Sequence, residues 1–287
     1  MKPEIVADTK LVTGEGPLWH PKEEKLYWLD IPNGIILRYD PNTGSHEQVY
    51  QGEVIGGFTI QEDGALLLFM EKGAVKIWRD GELSAVIDEI PDERETRFND
   101  VIADPEGRVF CGTMPAKDHL GRLYRLDIDG SLKKISDGIG ISNGMGFTPD
   151  RKQMYYTDSA KGEIYLFDYD QKSGNISNQR VFLKVREAGV EPDGLTVDAA
   201  GYIWSARWNG NCVVRIAPDG KEDFRITIPA KKVSSVTFGG KEYKDIYLTT
   251  AGGDNREEEG SGAGALFHLN LDIQGVPEFF SRIGPGD

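Results

Sequence analysis

The sequence predicts an all-β chain closed into a six-bladed propeller, and three observations carry the prediction. A hairpin unit recurs six times at roughly 45-residue spacing, and helical periodicity is scarce. In its place the 287-residue chain is rich in glycine (35) and in aromatic residues, with 5 Trp, 11 Tyr and 12 Phe.

Each unit is a short strand, a polar turn and a second apolar strand. In chain order the units read LWHPKEEKLYWLD, TIQEDGALLLFM, VIADPEGRVFCGTM, FTPDRKQMYYTDS, TVDAAGYIWSARW and TFGGKEYKDIYLTTA. The first apolar residues of the second strands are Leu26, Leu66, Val109, Met154, Ile203 and Ile246, at intervals of 40, 43, 45, 49 and 43. After a short loop, each unit is followed by another alternating strand that runs into Asp, Asn or Gly: GIILRYDPNTG, GAVKIWRDGE, GRLYRLDIDG, GEIYLFDYDQKSG, CVVRIAPDG and GALFHLNL. This is hairpin chemistry. Three or four strands per repeat make one blade, and radial closure leaves only short, protected edges. A parallel β-helix is the rival architecture, but its coils are shorter and more regular. Glu4-Ile5-Val6 and Val276-Pro277-Glu278-Phe279-Phe280 lie outside the repeats. They are expected to pair in one sheet and close the ring, as a single domain over residues 1–287.

Composition narrows the function. Lys plus Arg number 33 against 47 Asp plus Glu, a net charge of −14, and no basic run occurs. Such a surface repels phosphate backbones, so nucleic acid is not an expected partner. The longest apolar run, Ala65 to Met70, is far short of the about 20 residues of a membrane span. The start MKPEIVADTK shows no apolar leader, and Cys111 and Cys212 do not make a disulfide framework, so a cytoplasmic chain is expected. A monomer or weak homodimer is expected.

Departures from the repeat point to a site. The innermost strand of each blade lines the central channel, and its start lies ten or eleven residues before the aligned apolar position. The residues there are Glu15, Ile55, Asn99, Asn143, Asp193 and Ser235. Four of them carry carboxylate or amide oxygens at one mouth of the channel. Two readings fit: turn residues bonded to the channel backbone, or a hard oxygen site for a divalent cation. Four oxygens in common register favour the cation. Two carboxylates would neutralise it, and the amides would add oxygens without excess charge.

Other motifs fail on context. Gly140-Ile141-Ser142-Asn143-Gly144 has the spacing of a nucleophile elbow, but a hairpin follows it rather than a helix. Glycines 260, 262 and 264 lead into a strand, so a dinucleotide fingerprint is excluded. Asp168-Tyr169-Asp170 is followed by Lys172 and Ser173, which break a calcium-loop pattern. The histidines at 20, 46, 119 and 268 lack metal-ligand spacing.

The segments around the mouth resemble a known family. GEGPLW with Glu15, RFNDV with Arg97 and Asn99, SNGMGF with Asn143 and EPDGLTVD with Asp193 are similar to the SMP-30/gluconolactonase/regucalcin family, in order and context, over essentially the whole chain. That family is similar in turn to the calcium-bound diisopropyl fluorophosphatases. The resemblance implies that Glu15, Asn143 and Asp193 are direct metal ligands. It places Asn99 close to the metal, against substrate or a water, and Arg97 on the sugar. Animal regucalcins carry a longer loop after the third-blade strand, with a glutamate that reaches substrate. Here that stretch is only Met114 to Leu120, where Asp118 or His119 would take the glutamate's place. The function implied is hydrolysis of a sugar lactone to its aldonic acid, with one divalent cation, Ca²⁺ foremost and Zn²⁺, Mn²⁺ or Fe²⁺ as alternatives. Asp193 is the expected proton acceptor. Phosphotriester or P–F hydrolysis at the same metal, or a non-catalytic metal-stabilised binding propeller, are the alternatives.

Overall fold

A computed structural model of the chain describes residues 2–284. They form six four-stranded antiparallel sheets arranged as the blades of a propeller. The innermost strands are Gly14–His20, Ile55–Ile60, Phe98–Ala103, Ser142–Phe147, Glu191–Val197 and Lys232–Gly239. The second strands begin at Lys25, Leu66, Val109, Gln153, Ile203 and Asp245. Each start lies within one residue of the aligned apolar position. No helix among the described residues is long and apolar enough to cross a membrane. The α-helix Arg256–Glu259 is a single turn.

Burial follows the ring. Both faces of the inner and second strands are covered, so they read as near-continuous apolar runs, whereas the outer strands alternate or stay exposed. Six apolar clusters fill the six interfaces between neighbouring blades. Phe69 against Phe98 and Trp204 against Phe238, both edge-on, are examples.

Closure differs from expectation in its partner. Glu4–Ala7 is the outermost strand of the sixth blade, and it pairs with Leu266–Asn270, with Glu4 opposite His268. The segment Val276–Phe280 forms no strand. It crosses the end of the channel away from the four oxygen positions. Gly275 bridges to Asp198 and Ser281 to Gln61, and Phe279 packs edge-on to Phe147. Pro277 lacks a ladder donor, and Phe279 packs against the apolar clusters of the second-to-third and third-to-fourth blade interfaces. Ser281 is tied in by Thr59 Oγ1 (2.7 Å) and Ile283 O accepts from Gln61 Nε2 (2.7 Å).

Every innermost strand breaks its ladder near its start. Register shifts fall at Glu15/Leu18, Ile55/Gly57, Phe98/Val101, Asn143/Met145, Pro192/Leu195 and Val233/Ser235. Bulges of this kind bend a strand and re-aim its side chains. Six of them around one axis turn the strand starts into a ring of inward-facing groups.

Candidate active site

Glu15, Asn99, Asn143 and Asp193 are all buried at the same mouth of the channel and line one cavity of about 320 Å³. Arg97 lines it too, with Thr13, Ile31, Met114, Ile141, Ser159, Glu191 and Trp208 completing the wall. The loops that deliver these groups are fixed by carboxylates. Asp30 accepts the Thr13 N–H (2.9 Å) and Asp158 the Gly140 N–H (3.0 Å), just ahead of Glu15 and Asn143 respectively.

Each oxygen has a defined surrounding. Glu15 Oε2 accepts the Gly16 N–H at 2.8 Å. Asn143 Nδ2 donates to Ser159 Oγ (3.0 Å), which in turn donates to Pro192 O (2.6 Å). That orientation leaves Asn143 Oδ1 buried without a hydrogen-bond partner. Asn99 is committed at both ends: Oδ1 accepts from Arg97 Nη1 (2.7 Å) and Nδ2 donates to Ser142 O (2.7 Å). Arg97 Nη1 also donates to Phe98 O at 2.8 Å.

The electrostatics are those of a site short of positive charge. Burial, then the Asp193 and Asp100 carboxylates, push the Glu15 carboxyl well above its usual range. Asp193 is likewise raised, by burial and then by Asp100, although the neighbouring Asn143 amide opposes the shift. Arg97 is pulled below the usual arginine range by burial, against the pull of Glu15 and Asp100. Crowded, desolvated carboxylates favour protonation unless a cation joins them. An orphaned amide oxygen beside two such carboxylates is the donor set a hard divalent ion takes. The residues at the mouth therefore fit such an ion. Among the described residues, no three His, Cys, Asp or Glu side chains are grouped for a metal, so any ion here relies on amide oxygen as well.

Two predicted contacts lie elsewhere. Asp118 is not in the cavity; its side chain is 83% exposed on the loop. His119 is spent on backbone carbonyls, with Nδ1 2.8 Å from Leu120 O of its own loop and Nε2 2.9 Å from Asp92 O of the turn before the third blade. Met114 is the residue of this stretch that reaches the wall.

Other residues escaped sequence reasoning. Asp100 faces inward beside Asn99, because the bulge between Phe98 and Val101 breaks strict alternation. Burial raises its carboxyl to about 7, against the lowering pull of Arg97. Glu191 and Trp208, a cross-strand pair in the fifth blade, form one side of the cavity. Their signal was the EPD run and the strand end IWSARW, which spacing alone does not aim.

The sequence profile of the SMP-30/Gluconolactonase/LRE-like region matches residues 13–252, from just before Glu15 to just after the second strand of the sixth blade. The chain belongs to this family. It is 49% identical to the pentonolactonase XacC of Haloferax volcanii, over 98% of both chains. It is 33% identical to regucalcin of Homo sapiens, over 97% of this chain and 98% of the other. Among solved structures, a luciferin-regenerating enzyme superposes with a TM-score of 0.90 at 27% identity, covering 98% of this chain and 99% of that one. All six blades are thus shared with family members.

Proposed function

We propose that the chain is a metal-dependent sugar lactonase that opens an aldonolactone to its aldonic acid. The observation that carries this reading is the orphaned Asn143 Oδ1 set beside two buried carboxylates, in a cavity that also presents Arg97. Its similarity to a pentonolactonase along nearly its whole length supports the substrate class.

Glu15, Asn143 and Asp193 would hold the ion through side-chain oxygens, and an all-oxygen set suits Ca²⁺ ahead of softer ions. When bound, a divalent cation supplies Lewis-acid polarisation of a carbonyl and a lowered pKa for water beside it. The protein's own groups do the rest. Asp193 accepts a proton from the water that adds to the lactone carbonyl carbon. When the ring C–O bond breaks, that proton passes to the departing alkoxide, so the aldonic acid leaves and Asp193 is restored. Arg97 donates N–H groups to sugar hydroxyls or to the ring ester oxygen, and Asn99 keeps its guanidinium in place. Ser159 holds the Asn143 amide in the orientation that presents Oδ1. A lactone ester is already reactive, so no covalent nucleophile is required.

The test is acid release from a panel of five- and six-membered aldonolactones, run with Ca²⁺, Zn²⁺, Mn²⁺ or Fe²⁺ in turn, beside hydrolysis of diisopropyl fluorophosphate. Turnover of aldonolactones well above that of the fluorophosphate is expected. The reverse ranking would make the chain a phosphotriesterase, and background rates on both would leave a binding propeller.

A further inference from the structure

A second polar site lies away from the channel. Among the described residues four arginines are buried, and three of them are neutralised. Arg108 meets Asp104 at 2.5 Å, Arg125 meets Asp127 at 2.7 Å and Arg215 meets Asp198 at 2.7 Å. Arg207, the most buried of the four at 4% exposure, is the exception. Among the described residues no carboxylate lies within 4.0 Å of its guanidinium. Nη1 turns back onto its own strand, donating to Ala206 O (3.2 Å) and to Ser205 Oγ. The nearby acids are already spent: Glu187 and Glu222 both pair with Arg225, at 3.1 and 2.7 Å. Burial pushes the Arg207 guanidinium down to about 10.

Taking a cation out of water without a partner is costly, and native interiors pair such groups or offer them to a ligand. Here there is room for a ligand. Arg207 lines a cavity of about 340 Å³ between the fourth and fifth blades, which shares no lining residue with the cavity at the channel mouth. That volume suits one small molecule. Glu187 and Glu222 also line it but are held by Arg225, and Lys184 is held by Glu163. Among the described residues Arg186 and Arg207 are therefore the wall's cations without a carboxylate, in a chain whose net charge is −14. Leu183, Val214 and Ile216 provide apolar wall.

We infer that the cleft between the fourth and fifth blades is a binding site for a small oxyanion, a carboxylate or phosphate group, received by the guanidinium of Arg207. Guanidinium matches both groups through paired N–H donors, which a lysine ammonium does not reproduce. The site stands independently of the lactonase reading.

The experiment is thermal unfolding of the full chain with inorganic phosphate or gluconate, at constant ionic strength against a chloride control. A saturable rise is expected with at least one of them, about 5 °C or more once the anion exceeds its Kd about 100-fold. A rise with phosphate alone identifies a phosphate source, and one with gluconate alone a sugar acid. Arg207→Met should abolish the rise and Arg207→Lys should reduce it. No saturable rise in the wild-type chain overturns the inference. So does an equal rise in Arg207→Met, which would assign the anion to the channel mouth or the surface. Crystals of the wild-type chain soaked in selenate give a reading that needs no variant. Anomalous selenium within hydrogen-bond reach of Arg207 supports the site, and selenium found only elsewhere contradicts it.

Discussion

Asn143 shows how a single side chain is set for its task. Its nitrogen is spent on Ser159, so its oxygen is left buried in the cavity wall with nothing to accept from. Ser159→Ala frees the amide to turn, and we expect weaker divalent-ion affinity with turnover recovered at high ion concentration. Activity measured across an ion titration reads this directly. Asp193→Asn keeps an oxygen but removes the proton acceptor. Turnover should then fall about 10²–10⁴-fold even at saturating ion, the range for loss of a general base. Wild-type turnover in that variant would show that Asp193 is not the proton acceptor. Arg97→Ala should spare ion affinity and lower kcat/KM, since its place is on substrate. If it instead behaves as Ser159→Ala does, Arg97 serves the ion. At the other end of the channel, Glu278 accepts from Thr196 Oγ1 (3.1 Å), and burial raises its carboxyl to about 7. A carboxyl raised in the folded state stabilises it fully below about pH 4, and that contribution is lost as pH rises through 7. Glu278→Gln should therefore raise Tm relative to wild type at pH 8 and leave it nearly unchanged at pH 4. Equal shifts at both pH values would contradict this.

At the scale of the element, the inner strands do most of the positioning. Their bulges turn neighbouring residues inward together, and glycines let adjacent strands approach backbone to backbone. A Cβ on Gly144 would stand 2.6 Å from Asp193 O and would also crowd Leu195 N. Gly144→Ala should cost about 1–3 kcal/mol, as overpacking does, and disturb Asp193 with it. A denaturant midpoint equal to wild type would refute that. These elements also mark how far the sequence could be read. Glu15, Asn99, Asn143 and Asp193 were legible because a fixed step of ten or eleven residues from a repeated hairpin lands on them. Asp100 was not, since strand alternation places it opposite Asn99 and only the bulge brings it round. Asp118 lies outside the cavity, since spacing along an irregular loop does not say where a side chain points. Val276–Phe280 was misread for a similar reason: an apolar run looks alike in a strand and in a plug, and here Phe279 plugs the channel.

For the whole molecule, six similar blades bury six similar interfaces, and closure depends on one short strand from the other terminus. Glu4–Ala7 covers the edge of Leu266–Asn270 with Ala7 buried, while Ile5 stays 44% exposed. Removing residues 2–7 should lower Tm and promote association through the uncovered edge, seen as a higher-mass species in size-exclusion chromatography. An unchanged Tm and elution volume would mean that the ring closes without this strand. The fold class was legible at this scale because the period of the repeat fixes the number of blades. The strand that closes the ring was named correctly at one end, Glu4-Ile5-Val6, and wrongly at the other.

The central claim is that lactone opening depends on one divalent ion held at the channel mouth. The direct measurement is acid release from an aldonolactone by chain stripped with EDTA and then titrated with Ca²⁺. The account predicts background activity in the stripped chain and full recovery at one bound ion per chain, with recovery displaced to higher Ca²⁺ in Glu15→Gln. Undiminished turnover by the stripped chain, with metal absence verified by elemental analysis, would contradict it.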